Sequence, residues 1–227
     1  MRFDRLAPSY EDLLRDPIRD RFGGQESMFF HRRKADLIRH FFRRRNKDTL
    51  GLKHLDVGCG KGELLGQLQP AFARSAGCDV SPVMMQNIAG IETRVQPDAT
   101  QIPFADAEFD LVTAVCVYHH VPPEDRLALT KEIRRVLRPE GIFCIIEHNP
   151  FNPVTRLIVR RTLVDADAIL LRPREARRLT TQAGMSAVDS EYFLYFPQAL
   201  YRYFGAVELA LARVPLGGQY ALFSGKA

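Results

Sequence analysis

The stretch Asp56-Val57-Gly58-Cys59-Gly60-Lys61-Gly62 stands between an apolar strand end at His54-Leu55 and the helix-like Glu63-Leu64-Leu65. Glycine at alternate positions lets the backbone turn sharply and approach a ligand closely, because no Cβ blocks positive φ or the approach itself. A strand, a glycine turn and a helix in that order make the turn a candidate nucleotide site. A glycine-rich turn alone is also compatible with an ordinary loop, so its neighbours must decide.

The acidic residue closing the strand separates the candidate ligands. Asp56 would repel a bound pyrophosphate, whereas it attracts the cationic amino-acid head of a ligand such as S-adenosylmethionine. The dinucleotide fingerprint needs a third glycine at the position of Glu63, and a phosphate loop needs Ser or Thr where Gly62 follows Lys61. Neither pattern is met. Asp79 lies 21 residues after Gly58 and closes the second strand, where a carboxylate can hold both hydroxyls of a ribose. The competing role, capping the helix that starts at Pro82, is better suited to Ser81. Asp98-Ala99 follows the third strand, where a carboxylate can accept from the exocyclic amine of adenine; read alone it is an ordinary turn aspartate.

Strand and helix patterns alternate from Lys53 to Glu147. Strands are expected at Lys53 to Val57, Ser75 to Asp79, Thr93 to Gln96, Phe109 to Val117 and Ile142 to Glu147, and helices from Glu63, near Val83 to Ile88, and over Pro123 to Leu137 with Gly141 as its stop. This order argues for an α/β, Rossmann-like doubly wound and mostly parallel sheet with right-handed crossovers. Asn149-Pro150-Phe151-Asn152-Pro153 is turn chemistry, Pro173 to Gly184 reads as a helix, and strands at Ala187 to Phe196 and Gln219 to Ser224 complete seven. The expectation is a single domain over 1–227. It comprises an N-terminal helical cap at 1–48, a cofactor-binding core at 53–147, and substrate-side elements at 148–227 with an inserted lid before the last strand.

Four cysteines, Cys59, Cys78, Cys116 and Cys144, fall at strands without C-x-x-C spacing and read as small buried residues of a reducing compartment. The start Met1-Arg2-Phe3-Asp4-Arg5 has no apolar run, and no stretch reaches the ~18 apolar residues of a membrane span, so a cytoplasmic location is expected. The formal charge of +5 is concentrated between Arg32 and Lys47, beside Leu37, Ile38, Phe41 and Phe42 at helical spacing. That pattern reads as an amphipathic helix with a solvated basic face, and membrane-surface or nucleic-acid contact are its other readings.

Taken together, Leu55 to Gly62, Cys78-Asp79-Val80-Ser81, Asp98-Ala99 with Ile102-Pro103-Phe104, Phe109-Asp110-Leu111-Val112 and Arg135 to Gly141 resemble a class I S-adenosylmethionine-dependent methyltransferase. The resemblance is to the small-molecule group that includes ubiquinone and menaquinone biosynthesis enzymes, and it covers residues 53 to 147. It implies that Asp56, Gly58, Gly60 and Gly62 surround the methionine part of the cofactor, Asp79 and Val80 the ribose, and Asp98 and Ala99 the adenine. It further implies that Met84 packs on the adenine and that Tyr10 folds over the cofactor, S-adenosylhomocysteine being the product. Glu140 stands where the family often has glycine. The fourth strand ends in Tyr118-His119-His120-Val121 and lacks the Asn/Asp-Pro-Pro-aromatic motif of DNA amine methylases, which argues against nucleic acid.

Removing a proton from an acceptor hydroxyl calls for a base titrating near neutrality, and His119, His120 and His148 stand at strand ends. His119 and His120, as neighbours on a strand, should point in different directions. No histidine spacing marks a metal site, so transfer without a metal is expected. The rings of Tyr192, Phe193, Tyr195, Phe196, Tyr201, Tyr203 and Phe204 suit a lid over a hydrophobic or aromatic acceptor, or a helix packed on the sheet. With the basic helix they would also permit peripheral membrane contact. The expected activity is methyl transfer to a hydrophobic small molecule at oxygen. Alternatives are transfer to nitrogen or carbon, a nicotinamide-dependent dehydrogenase, and a non-catalytic cofactor-binding or membrane-associated adaptor. Nothing in the sequence sets an oligomeric state.

Overall fold

The computed structural model describes residues 2–23 and 28–226, so residues 24–27 of the expected cap fall outside the described residues. Seven strands form one sheet: β1 Lys53–Val57, β2 Arg74–Asp79, β3 Glu92–Val95, β4 Phe109–Val115, β5 Leu137–His148, β6 Met185–Phe193 and β7 Gln219–Lys226. Their order is β3-β2-β1-β4-β5-β7-β6, with β7 antiparallel to both neighbours and the other pairs parallel. The chain reverses direction across the sheet between β1 and β4, and a crevice opens there at the carboxyl ends of the strands.

Helices α1 Arg2–Leu6, α2 Tyr10–Leu13, α3 Pro17–Gly23 and α4 Met28–Arg43 precede the sheet. Between strands run α5 Glu63–Leu68, α6 Pro82–Met85, α7 Arg126–Val136, α8 Pro153–Arg161, α9 Pro173–Gln182 and α10 Gln198–Leu211. Alternation along the strands divides the apolar side chains between two faces. On β4 and β5, Val112, Ala114, Phe143 and Ile145 join α7 and α9 in one core. Leu111, Cys144 and Ile146 join α4 and α5 in the other. Phe41 of α4 stacks on Phe223 of β7 with centroids 3.9 Å apart, anchoring that helix to the sheet.

Three expectations about elements need correction. The fourth strand ends at Val115, because Cys116 takes φ +57 and breaks the extended run that Val117 would have continued. The seventh helix starts at Arg126 rather than at Pro123 and ends at Val136, and the chain enters β5 directly at Leu137 rather than at Ile142. Glu140 within β5 adopts φ +62, a conformation that favours glycine and explains the residue common at this place in similar sequences. Helix α8 was missed behind two prolines; Asn152 caps it by accepting from Thr155 N–H at 2.9 Å, with Pro153 at its first turn.

The basic face of α4 is not simply solvated. Arg44 pairs with Asp189 at 3.0 Å and with Glu191, both on β6, Arg45 lies 3.4 Å from Asp189, and Arg33 pairs with Glu208 of α10. Much of the local positive charge is therefore spent on tying α4 to the far strand and to α10. Among the described residues, no helix is long and apolar enough to cross a membrane.

Candidate functional site

A cavity of about 870 Å³ opens at the carboxyl ends of β1, β2, β4 and β5. The glycine turn forms its floor. Gly58, Gly60 and Gly62 have φ of +68, +53 and +80, and a Cβ on Gly58 would lie 2.5 Å from Val117 Cγ2. Cys78 C=O accepts from the N–H groups of Gly58 and Cys59 at 2.8 and 3.0 Å, which joins the turn to β2. Asp79 completes the joint: its Oδ2 accepts from Gly60 N–H at 2.9 Å and its Oδ1 from Ser81 N–H at 2.8 Å. Ser81 caps α6 as expected, accepting from Met84 N–H at 3.3 Å.

Asp56 is held from behind. Thr113 on β4 donates to Asp56 Oδ1 at 2.6 Å, and His54 Nε2 lies 2.9 Å from the same hydroxyl. Since the hydroxyl proton goes to the carboxylate, His54 must donate from Nε2, which leaves its buried Nδ1 without a partner. Burial pushes the Asp56 carboxyl up to about 7 despite the Thr113 hydrogen bond, and burial also raises Asp79 against the two N–H donors. Two desolvated carboxyl groups in one cavity favour a ligand that brings positive charge and hydroxyl donors.

Tyr10, Asp56, Gly58, Gly60, Asp79, Val80, Met84, Ala99, His119, His120 and His148 all line this cavity. Two residues expected there do not. Asp98 turns away because its carboxylate accepts from Thr100 N–H and Oγ1, both at 2.7 Å, and from Gln101 Nε2 at 2.8 Å; buried Gln96 occupies that wall instead. Gly62 begins α5 beneath the floor, where a Cβ would meet Ile88 at 2.8 Å.

The histidines converge rather than diverge. His119 and His120 sit in a tight turn, Tyr118–His120, where strand alternation does not apply, and their ring centroids are 4.1 Å apart. His119 Nδ1 lies 2.6 Å from Glu147 Oε2, and the other Glu147 oxygen accepts from Tyr118 N–H at 2.7 Å. Asp165, from the turn after α8, approaches His119 Nε2 at 3.4 Å and His120 Nε2 at 3.5 Å. Burial alone would lower His119, but the Glu147 charge and the nearby Asp165 and Glu147 carboxylates raise it to about 10. His120 is pushed down to about 3 by burial and by the neighbouring His119 charge. His148, half-buried with its ring 5.1 Å from that of His119, also faces the cavity.

Sequence reading missed further wall residues. Lys34 of α4 is buried, not solvated, and points to Cys116 with Nζ 3.8 Å from Sγ. Gln219 Nε2 donates to the same sulfur at 3.3 Å. Burial raises the Cys116 thiol, but the Lys34 and His148 charges outweigh it and bring it down to about 7. Cys116 is therefore not the inert core residue that its type and position implied. His31, one turn before Lys34, also lines the cavity. Among the described residues, three buried polar atoms of the wall have no hydrogen-bond partner: His31 Nδ1, His120 Nδ1 and Gln219 Oε1. Of the aromatic segment's rings, among the described residues, Tyr195 alone lines the wall, beside Leu194; Tyr203 and Phe204 are exposed on α10. Helices α1 to α4 and α8 cover the mouth in its place.

This crevice, on a sheet of this order, has counterparts among known proteins. Residues 55–145 match the model of a methyltransferase domain family. The chain is 31% identical over 142 residues to the malonyl-[acyl-carrier protein] O-methyltransferase of Dechloromonas aromatica, an overlap of 60% of this chain and 52% of that protein. It is 35% identical over 135 residues to the fatty-acid O-methyltransferase of Mycolicibacterium smegmatis, covering 56% and 47% respectively. Thus the chain spans about half the length of these curated relatives. Among solved structures, a SAM-dependent methyltransferase from Archaeoglobus fulgidus superposes with a TM-score of 0.62 at 20% identity, over 88% of this chain and all of that one. A possible histamine N-methyltransferase from Thermotoga maritima reaches 0.69 at 16% identity, over 99% and 98%. The fold is the Rossmann-like fold of these methyltransferases.

Proposed function

We propose that this chain is an S-adenosylmethionine-dependent methyltransferase that places a methyl group on an oxygen of a hydrophobic small molecule. The observation that carries the reading is one continuous cavity joining two buried carboxyl groups at the glycine turn to a wall of aromatic, histidine and lysine side chains. The first end fits the cofactor: Asp56 suits the cationic amino-acid head, Asp79 retains lone pairs for ribose hydroxyls, and Met84, Gln96 and Ala99 form the wall for adenine. When bound, the cofactor supplies a methyl group activated by its sulfonium, and transfer is an in-line displacement.

The chain's own work is to position and to exclude water. Tyr10, Phe30, Leu194 and Ile158 offer an apolar surface to the acceptor, and Lys34 Nζ gives that surface one buried positive charge. A cation in such a wall favours an acceptor oxygen that carries negative charge before or during transfer. His148, which faces the cavity, is the side chain placed to accept a hydroxyl proton, whereas His119 is already engaged with Glu147 and Asp165. Two of the relatives being named O-methyltransferases supports oxygen as the target.

The test is a screen of extracted small molecules with radiolabelled S-adenosylmethionine, followed by mass analysis of the labelled product. A methyl ether or ester on an apolar product is the expected result. A label on nitrogen or carbon would replace the oxygen assignment, and no label in any fraction from folded protein would count against the reading as a whole.

A further inference from the structure

The end of the cavity built by β4, β5 and the turn after α8 carries a second kind of chemistry. His119, His120 and Asp165 each offer one ligand atom, a ring nitrogen or a carboxylate oxygen, and these atoms lie within 4.8 Å of one another. The two separations from Asp165 Oδ1, 3.4 Å and 3.5 Å, exceed those of charge-assisted hydrogen bonds, which run to about 2.9 Å. They match the ligand-to-ligand edge of a tetrahedron with bonds of about 2.1 Å, which is ~3.4 Å.

We propose that His119, His120 and Asp165 form a binding site for a divalent first-row transition ion, with zinc or iron the chemistry best suited to two imidazoles and one carboxylate. The surroundings are those of a metal ligand set. Glu147, fully buried, takes the Nδ1 side of His119 at 2.6 Å and is itself fixed by Tyr118 N–H at 2.7 Å, which turns Nε2 toward Asp165. A carboxylate behind a ligating histidine fixes its tautomer and ring orientation in this way. His119 is 2% exposed, so the ring cannot swing away to solvent. Phe3 packs edge-on against His120 with centroids 5.1 Å apart and limits that ring as well. All three ligands line the cavity of the glycine turn, so an ion held by them keeps an open position toward a bound molecule.

Sequence spacing could not show this site. His119 and His120 are adjacent, and the third ligand arrives from a separate turn after α8. The inference does not depend on methyl transfer: it stands if the acceptor is never found, and it falls if the ion does not bind.

Cobalt(II) titration of chelator-treated protein tests it, since an ion bound by two imidazoles and a carboxylate gives visible d–d absorption and zinc should displace it. One equivalent of absorbing cobalt is expected. His120→Ala and Asp165→Asn should each abolish the band, Glu147→Gln should weaken cobalt binding about 10–100-fold, and the surface control His40→Ala should leave it unchanged. Far-UV circular dichroism establishes that each variant is folded, and His120→Cys should restore a band of altered energy. Absence of stoichiometric cobalt or zinc binding by folded wild-type protein would overturn the proposal. So would a band that survives in both His120→Ala and Asp165→Asn.

Discussion

Asp79 joins the floor of the site to its wall, because one carboxylate receives N–H groups from both Gly60 of the glycine turn and Ser81, the cap of α6. Asp79→Ala should weaken S-adenosylhomocysteine binding by at least tenfold, consistent with about 1.5–3 kcal/mol for each hydrogen bond to a charged group. Gly58 is constrained twice, by φ +68 and by Val117. Gly58→Ala should therefore destabilise the fold by about 1–3 kcal/mol, measurable in urea, and Val117→Ala should recover only the steric part. Glu140 offers the opposite case. Its φ of +62 costs a side chain roughly 1–2 kcal/mol, so Glu140→Gly should leave the midpoint of thermal unfolding unchanged or raise it by a few degrees. A large fall would contradict the assignment of that turn. These residues were legible in the sequence because their chemistry is local: a glycine turn and the two carboxylates flanking it announce themselves within one strand-turn-helix unit. Asp98 was expected at the cavity on the same local grounds, but it does not line the wall, and a local Asx turn engages its oxygens.

At the scale of elements, the parallel core from β1 to β5 followed from alternating patterns, while the cover over the cavity did not. Lys34, Asp165 and Gln219 reach the wall from α4, the turn after α8 and β7, and only tertiary packing brings them together. An amphipathic pattern reads Lys34 as solvated because its type is basic, yet it shares helical spacing with Ile38 and Phe41 on the buried face of α4. The N-terminal helices are clipped to the core by a few contacts, such as the Ser81 hydroxyl donating to Asp4 at 2.6 Å. Segments of that kind open most easily and are ordered by a ligand beneath them. Amide exchange across α1 and α2 should slow several-fold when S-adenosylhomocysteine is added, while β4 and β5 remain unchanged. Equal protection with and without it would show that these helices do not close over the site.

For the molecule as a whole, buried ionisable groups set an acid limit. Burial pushes His54 down from 6.5 to about 3, so below pH 6.5 the unfolded chain binds a proton that the folded chain refuses. The stability His54 allows is full above about pH 6.5 and is lost as pH falls toward 3. Asp56 acts oppositely, since its raised carboxyl binds a proton in the folded state between about pH 4 and 7, and it lessens the net slope. The comparison of wild type with His54→Gln isolates the first effect: the variant should lose less stability between pH 6.5 and 4.5, by a few kcal/mol at most. Parallel urea midpoints for the two proteins would refute it. The same buried carboxyl groups underlie the central claim, that the cavity at the glycine turn is built for a cationic adenosyl amino acid. Calorimetric titration of the folded protein with S-adenosylhomocysteine tests this most directly. Saturable binding of one equivalent, weakened at least tenfold by Asp79→Ala, is the expected result; no binding by folded wild-type protein would contradict it.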